Sequence, residues 1–153
     1  MATKAPSKTA TKSATFSDDE KSAMRERAEE VKAVGRRSPR ARKADGERDV
    51  LAKIAEMPKA DRVMAERIHA IVKASAPGLT AKTWYGMPAY AKDGKSICFF
   101  QAASKFKVRY ATLGFQPDAR LDDGRMWPNA YAVLELTPEV EERIAALVKQ
   151  AAS

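Results

Sequence analysis

The order of the amphipathic segments predicts an α+β fold, an antiparallel sheet with helices packed on one of its faces. Apolar residues recur at helical spacing in the first half of the chain, up to the stop at Ala76-Pro77-Gly78. Short apolar or alternating runs, typical of strands, follow between residues 96 and 136, and a capped amphipathic segment closes the chain. Helices segregated from strands in this way favour an α+β architecture over a series of βαβ units.

Length and composition indicate one soluble domain with a tail. Of the 153 residues, 44% are apolar and 31% are charged, and no apolar run approaches the roughly 18 residues of a membrane span. We therefore expect a cytoplasmic protein without a membrane partner. The single cysteine, Cys98, excludes an internal disulfide. With His69 as the one histidine, zinc and iron–sulfur sites lack ligands, so any metal site would be built from carboxylates.

The excess positive charge is concentrated near the N-terminus. Residues 1–48 contain 13 Lys or Arg and 8 Asp or Glu, which is +5 of the total charge of +8. Residues 1–15 have no acidic residue and too little apolar surface to offset the entropy cost of ordering. We therefore expect a disordered basic tail over residues 1–16.

A capping box predicts a helical extension over residues 17–35. Ser17 is followed three residues later by Glu20, so each side chain satisfies a backbone donor of the first turn. Gly35 is the expected stop after Val34. The apolar face of this helix is thin and consists of Met24, Ala28, Val31 and Val34. We expect it to dock weakly on the rest of the chain, or not at all.

A basic linker is expected over residues 36–46. Its first eight residues include five cations and no acid: Arg36, Arg37, Arg40, Arg42 and Lys43. Pro39 is expected to keep the segment extended, and each cation could neutralise a nucleic-acid phosphate. The alternative is a solvated linker without a binding role.

The α+β domain is expected over residues 47–153 and begins with two helices. Val50, Leu51 and Ile54 have helical spacing up to Met57-Pro58. A longer helix is predicted from Lys59 to Ser75. Its core stripe consists of Met64, Ile68, Ile71 and Val72. His69 lies on the flank of this stripe and is expected to be a boundary residue rather than a catalyst.

Two strands are predicted after a turn at Asp93-Gly94. Ser96 to Gln101 is apolar on both faces, which indicates a central strand, or a strand that lines a pocket on one side. Lys105 to Ala111 alternates, with cationic residues on the expected outer face, which predicts a half-buried antiparallel strand.

The C-terminal part predicts a turn, a strand and a helix. Leu121 to Gly124 resembles a turn, and Tyr131 to Leu136 alternates. The residues expected to point inward are Ala132, Leu134 and Leu136. Thr137 is the predicted cap and Pro138 the first residue of the last helix. Its core stripe consists of Val140, Ile144, Leu147, Val148 and Ala151.

An aromatic stretch from Trp84 to Tyr90 (Trp-Tyr-Gly-Met-Pro-Ala-Tyr) lies between the helical and strand-like parts. Together with Ala76-Pro77, Asp93-Gly94-Lys95 and Leu121-Asp122-Asp123-Gly124, it resembles the YdhG-like family of small bacterial proteins over residues 50–151. The resemblance implies a frataxin-like fold, with helices on one face of an antiparallel sheet. Since some relatives are described as iron chaperones, it also implies ferrous iron as the ligand and iron-acceptor proteins as partners.

Carboxylates are the expected iron ligands, because ferrous iron without thiolates accepts Asp and Glu oxygens. One group of candidates, Asp118, Asp122 and Asp123, lies in a single predicted loop, and Glu139 and Glu142 lie one helical turn apart. The alternative for the aspartates is turn chemistry, and for the glutamates a first helical turn favoured by the helix dipole.

A small-ligand or peptide pocket is a further hypothesis. Its candidate lining residues are Trp84, Tyr85, Met87, Tyr90, Phe100 and Trp127, with Lys105 or Arg109 as the anchor for an anion. Core filling is the alternative for the aromatic residues. An enzyme is the least supported class, because the sequence contains no Gly-rich phosphate loop, nucleophile elbow or His-based constellation.

Overall fold

The computed structural model describes residues 15–153, so the predicted tail lies outside the described part except for Thr15 and Phe16. Helices and strands follow in the order α1 (Asp18–Gly35), α2 (Pro39–Ala55), α3 (Lys59–Ser75), β1 (Thr80–Trp84), β2 (Met87–Lys92), β3 (Lys95–Gln101), β4 (Ala111–Phe115), β5 (Ala130–Val133) and α4 (Pro138–Ala151). The predicted α+β class is confirmed. None of the helices in the described part combines the length and the apolar character that a membrane crossing requires.

The strands form one antiparallel sheet in the order β1-β2-β3-β4-β5. Two tight hairpins open it, with turns at Tyr85-Gly86 and Asp93-Gly94. The φ angles are 52° and 76° in the first turn and 51° and 79° in the second. Two positive φ angles define the type I′ turn, whose twist matches that of the flanking strands. The turn predicted at Asp93-Gly94 is confirmed, and the aromatic stretch forms the first hairpin.

Helices α2, α3 and α4 cover one face of the sheet. Their buried residues form one cluster with alternate strand residues, which includes Val50, Ile54, Ile68, Val72, Ile144, Val148, Tyr90, Phe100 and Leu113. Ala89 and Phe99, which pair across β2 and β3, lie on the other face. The bounds and the apolar stripe predicted for α3 agree with the structure, as do the cap of α4 and its stripe.

A β-bulge in the central strand β3 accommodates part of its continuous apolar run. Tyr90 pairs with Cys98 and Ala91 with Ser96, so Ile97 has no partner on β2. An extra residue of this kind lets two consecutive side chains turn to the same face. Ile97 and Cys98 are therefore both buried in the helix-covered core, at 3% and 0% exposure.

The predicted extended linker is wrong from Pro39 onward, where α2 begins. Ser38 caps this helix, because its hydroxyl accepts a hydrogen bond from the Ala41 amide at 3.2 Å. Pro39 lacks an amide hydrogen, but the first helical residue has no intrahelical partner for one. The same Ser-Pro pair that suggests an extended linker is thus also a helix start.

The strand predicted over residues 105–111 is also wrong. Residues 103–105 form a 3₁₀ turn, the Val108 amide donates to the Ala103 carbonyl at 2.9 Å, and Lys107 has a φ of 53°. This local hydrogen bonding closes a loop, so alternation of side chains does not produce a strand here. The strand β4 starts only at Ala111.

The phase predicted for the last strand is reversed. Leu113 pairs with Tyr131 and Ala111 with Val133, so the odd-numbered residues of β5 face the helices. Val133 is buried, whereas Ala132 and Leu134, which the alternation predicts to point inward, are exposed. Leu136, which follows the strand, does pack against the core as predicted. The register with β4 decides the phase, because a one-residue shift turns every side chain to the other face.

Helix α1 docks on the domain without the apolar face predicted for it. Ala28 is exposed, and Met24, Val31 and Val34 are 39%, 54% and 41% exposed, whereas Ala23 is buried. Its contacts with the domain include polar ones, such as the hydrogen bonds that two amides of the first hairpin donate to the Glu30 carboxylate.

Candidate functional site

The aromatic residues predicted to line one pocket are divided between the two faces of the sheet. Tyr90 and Phe100 are fully buried on the helix-covered face. Trp84 lies on the opposite face, where its ring centroid is 5.1 Å from that of Phe99, and Tyr85 meets Trp84 edge-on. Side chains alternate along a strand, so residues that are close in sequence point to opposite faces.

The remaining pocket candidates are also dispersed. Met87, Phe100 and Lys105 do share a shallow cavity of about 180 Å³. Arg109 lies over its neighbour Tyr110, with the guanidinium carbon 5.2 Å from the ring centroid. Trp127 is 36% exposed in the connection between β4 and β5. The structure therefore does not assemble the predicted set around one ligand.

The predicted iron ligands are all exposed carboxylates at the surface: Asp118, Asp122, Asp123, Glu139 and Glu142. Within residues 15–153, no three His, Cys, Asp or Glu side chains lie close enough together to hold a metal ion. The donor set suggested by the resemblance is thus not assembled in the described part of the chain.

The five cations of the basic block have two different surroundings. Arg37 donates to Asp49 at 2.7 Å and lies 3.5 Å from Asp45, and its hydrogen bond with Asp49 raises its pKa. Arg42 donates from Nε to the carbonyls of Val34 and Arg37 at 3.0 and 3.1 Å, where it caps the end of α1. The other three, Arg36, Arg40 and Lys43, are exposed.

A cleft with a volume of about 390 Å³ lies between α1, α2 and the edge strand β1. We call it the basic cleft, because four cations line it: Arg27, Arg37, Arg42 and Lys82. The wall also includes the apolar side chains of Val31, Val34 and Ala81 and the threonines Thr80 and Thr83. One carboxylate lines the cleft as well, that of Asp49, which is paired with Arg37. The volume lies within the range of small-molecule sites in proteins.

Two close contacts shape the basic cleft. At its floor, Gly46 of α2 faces β1 so closely that a Cβ atom at this position would lie 2.3 Å from the Ala81 carbonyl oxygen. Outside its lining, the Glu30 carboxylate of α1 accepts hydrogen bonds from the amides of Tyr85 and Gly86 at 2.9 and 2.7 Å. The absence of a side chain at Gly46 and the hairpin turn thus place the two helices beside β1.

Lys82 is the cation of the cleft with the least compensation. Burial lowers its pKa, the positive charge of Arg27 lowers it further, and Glu30 opposes both effects. Within residues 15–153, no carboxylate forms an ion pair with its ammonium group. The other three cations have partners. Those of Arg37 and Arg42 are described above, and Arg27 lies 3.5 Å from Glu30 and 5.8 Å from the Tyr85 ring.

A buried polar chain connects α2, α3 and β2. The boundary position predicted for His69 is wrong, because the residue is only 6% exposed. Its ring nitrogens contact Tyr90 Oη at 2.8 Å and Glu47 Oε1 at 3.3 Å. A carboxylate can only accept, so His69 Nε2 donates to Glu47, and in a neutral ring Nδ1 then accepts from the Tyr90 hydroxyl. Burial raises the pKa of Tyr90, which therefore keeps its proton.

Sequence reasoning identified Arg37 and Arg42 only as candidates for nucleic-acid binding, and it missed Lys82 and Gly46 of the basic cleft for identifiable reasons. Lys82 lies in the segment Thr80-Ala81-Lys82-Thr83-Trp84, whose alternation is that of a strand. The same segment is also compatible with an irregular connection that leads into the aromatic stretch. Gly46 lies in a polar segment, where a glycine suggests a linker. A glycine within a helix can also indicate close packing, and this was the signal available for the cleft.

Comparisons with protein-family models, curated proteins and solved structures give no match to this chain.

Proposed function

We propose that the protein binds a small organic anion that has an apolar part, and that it does so in the basic cleft. The observation that carries the proposal is the partly buried ammonium of Lys82, which lines the cleft beside Arg27 and has no ion-pair partner within residues 15–153. Such a charge is unfavourable without a counter-ion, and an anion in the cleft would supply one. Strained electrostatics of this kind are more common at binding sites than elsewhere.

The other walls favour an amphiphilic ligand over a bare inorganic ion. Val31, Val34 and Ala81 provide an apolar surface, and the exposure of Val31 and Val34 leaves room for a ligand to cover them. The threonines Thr80 and Thr83 carry hydroxyl groups that donate or accept hydrogen bonds. An apolar lining with a few polar groups is the usual composition of a ligand site.

The proposal is tested with two probes of equal length and opposite charge. We expect isothermal titration calorimetry to detect octanoate binding and no binding of octylamine. Replacing Lys82 by methionine keeps most of the length of the unbranched side chain but removes its charge. Because a hydrogen bond to a charged group is worth about 1.5–3 kcal/mol, Lys82→Met should weaken octanoate binding roughly tenfold to a hundredfold.

Lys59→Met is the matched control, since Lys59 is an exposed lysine at the start of α3, outside the cleft. It should bind octanoate as the wild type does. Lys82→Met should also melt at a higher temperature than the unliganded wild type, because it removes a partly buried charge that has no ion-pair partner in the described part of the chain. Equal affinity for octanoate and octylamine, or unchanged affinity in Lys82→Met, would contradict the proposal.

Nucleic-acid association through the N-terminal arm is a second candidate, favoured by the exposure of Arg36, Arg40 and Lys43. We expect the triple variant Arg36→Gln/Arg40→Gln/Lys43→Gln to bind duplex DNA more weakly, with a lower salt dependence, in a fluorescence-anisotropy titration. Octanoate binding should be unaffected in the same variant. Salt-independent DNA binding, or equal binding by the variant, would count against this candidate.

Ferrous iron and an iron-acceptor partner stay predictions that rest on the family resemblance alone. An anaerobic ferrous-iron titration with an Asp122→Asn/Asp123→Asn variant alongside would test them.

A further inference from the structure

Helix α1 differs from the other helices in what holds it to the domain. α4 buries Ile144, Val148 and Ala151 in the core, whereas the one buried residue of α1 is Ala23. A small methyl group provides little hydrophobic stabilisation. Polar contacts must therefore supply much of what keeps α1 in place.

Two carboxylates make the central contacts of α1. Glu26 lies between two lysines, with Oε1 3.2 Å from Lys53 Nζ and Oε2 3.0 Å from Lys105 Nζ. Glu30 is bound by the two amides of the Tyr85-Gly86 turn. Glu26 also fits closely against this turn, since a Cβ atom on Gly86 would lie 2.1 Å from its Oε2. Both contacts are directional, charge-assisted and only partly buried.

The contacts of Glu26 and Glu30 also hold one wall of the basic cleft in place, because that wall belongs to α1. Arg27, Val31 and Val34 of α1 form one wall of the cleft, and Glu26 and Glu30 lie on the same helix within one or two turns of them. If both carboxylates release the domain, this wall moves away. The connection to α2 is short, with α1 ending at Gly35 and α2 starting at Pro39, so α1 would pivot there.

We infer that α1 is a hinged lid over the basic cleft, held closed by Glu26 and Glu30. This role rests on the proposed function, because a lid matters only if the cleft takes a ligand. A ligand with an apolar part would cover Val31 and Val34 of α1 and so favour the closed position. Closure around a ligand by a segment of low local stability is a common arrangement at binding sites.

The lid is tested by hydrogen–deuterium exchange of the full chain without ligand. In Glu26→Gln/Glu30→Gln, amides of residues 23–34 should exchange at least about tenfold faster than in the wild type, with no change in α4 or β3. Glu29→Gln is the matched control, because Glu29 is an exposed glutamate of the same helix. It should leave the exchange unchanged. If the double variant does not fold, each single variant should show a smaller change in the same segment.

The result that would overturn the lid is exchange of α1 and α4 at the same rate in every variant, because both helices would then open only with the whole protein. Octanoate, added next, should slow exchange over residues 27–34 in the wild type but not in Lys82→Met. If α1 opens in the double variant and octanoate has no effect on the wild type, the hinged opening of α1 is real but the proposed function fails, and with it the role of α1 as a lid. If octanoate binds but α1 shows no independent opening, the proposed function holds and the lid fails.

Discussion

Gly46→Ala is expected to destabilise the protein by about 2–3 kcal/mol, within the range for overpacking of a well-packed interior. The added Cβ would lie 2.3 Å from the carbonyl oxygen of Ala81 and 3.4 Å from its carbonyl carbon. These atoms belong to the backbone of β1, so the clash is relieved only by moving α2 or the strand. Alanine has a higher helix propensity than glycine by about 1 kcal/mol, and the clash must exceed this gain.

Urea unfolding followed by circular dichroism measures this effect. Gly35→Ala is the matched control, since Gly35 also lies in a helix but a Cβ atom added there would meet no other element within 4 Å. We expect Gly35→Ala to be neutral or slightly stabilising. Because the same contact forms the floor of the basic cleft, Gly46→Ala should also weaken octanoate binding. A Gly46→Ala protein as stable as the wild type would show that α2 and β1 do not approach this closely.

The fold class follows from sequence where several local signals agree. In α3, a stripe of apolar residues ends at Ala76-Pro77-Gly78, and in α4 a Thr-Pro start precedes a similar stripe. Cap, periodicity and breaker all point to the same bounds in these helices. The turn at Asp93-Gly94 is equally well determined, because few residue pairs adopt two positive φ angles.

The fold errors occur where one local signal is compatible with two structures. Ser38-Pro39 fits an extended linker and a helix start equally well. Alternation over residues 105–111 describes side chains without showing whether a neighbouring strand is available to pair with. The phase of β5 depends on its register with β4, and register is a property of two distant segments.

The candidate site depends even more on contacts between distant segments. The basic cleft brings together Arg27 of α1, Arg42 of α2 and Lys82 of β1, which no local pattern relates. The residues predicted to line a ligand pocket around the aromatic stretch are not all brought together, because neighbouring residues of a strand face opposite sides. The available signals for the cleft are a short polar strand and a glycine within a helix. Interpreting them requires knowing that α2 packs against β1, although α3 separates the two in sequence.

Tyr90→Phe is expected to destabilise the protein by about 1–3 kcal/mol, the usual cost of leaving a buried polar group without its partner. In a neutral ring, Nδ1 of His69 accepts from the phenol. His69 is 6% exposed, so water cannot easily replace the lost donor. His69 cannot satisfy Nδ1 by changing tautomer, because Nε2 must keep its proton to donate to Glu47. The free energy of unfolding from urea titration is the measurement.

The second step of this prediction is that adding His69→Leu to Tyr90→Phe recovers part of the lost stability. Replacing both partners of a buried hydrogen bond by apolar groups of similar shape is often nearly neutral, and Glu47 keeps its ion pair with Lys73 at the surface. A double-mutant cycle should therefore give a coupling energy of about 1 kcal/mol or more between the two positions. Strictly additive effects would mean that the Tyr90 hydroxyl contributes through another contact. The hydrogen-bonded series Glu47–His69–Tyr90 joins α2, α3 and β2. Coupling would therefore also show that a hydrogen-bonded histidine, in addition to apolar packing, fixes how these three elements meet.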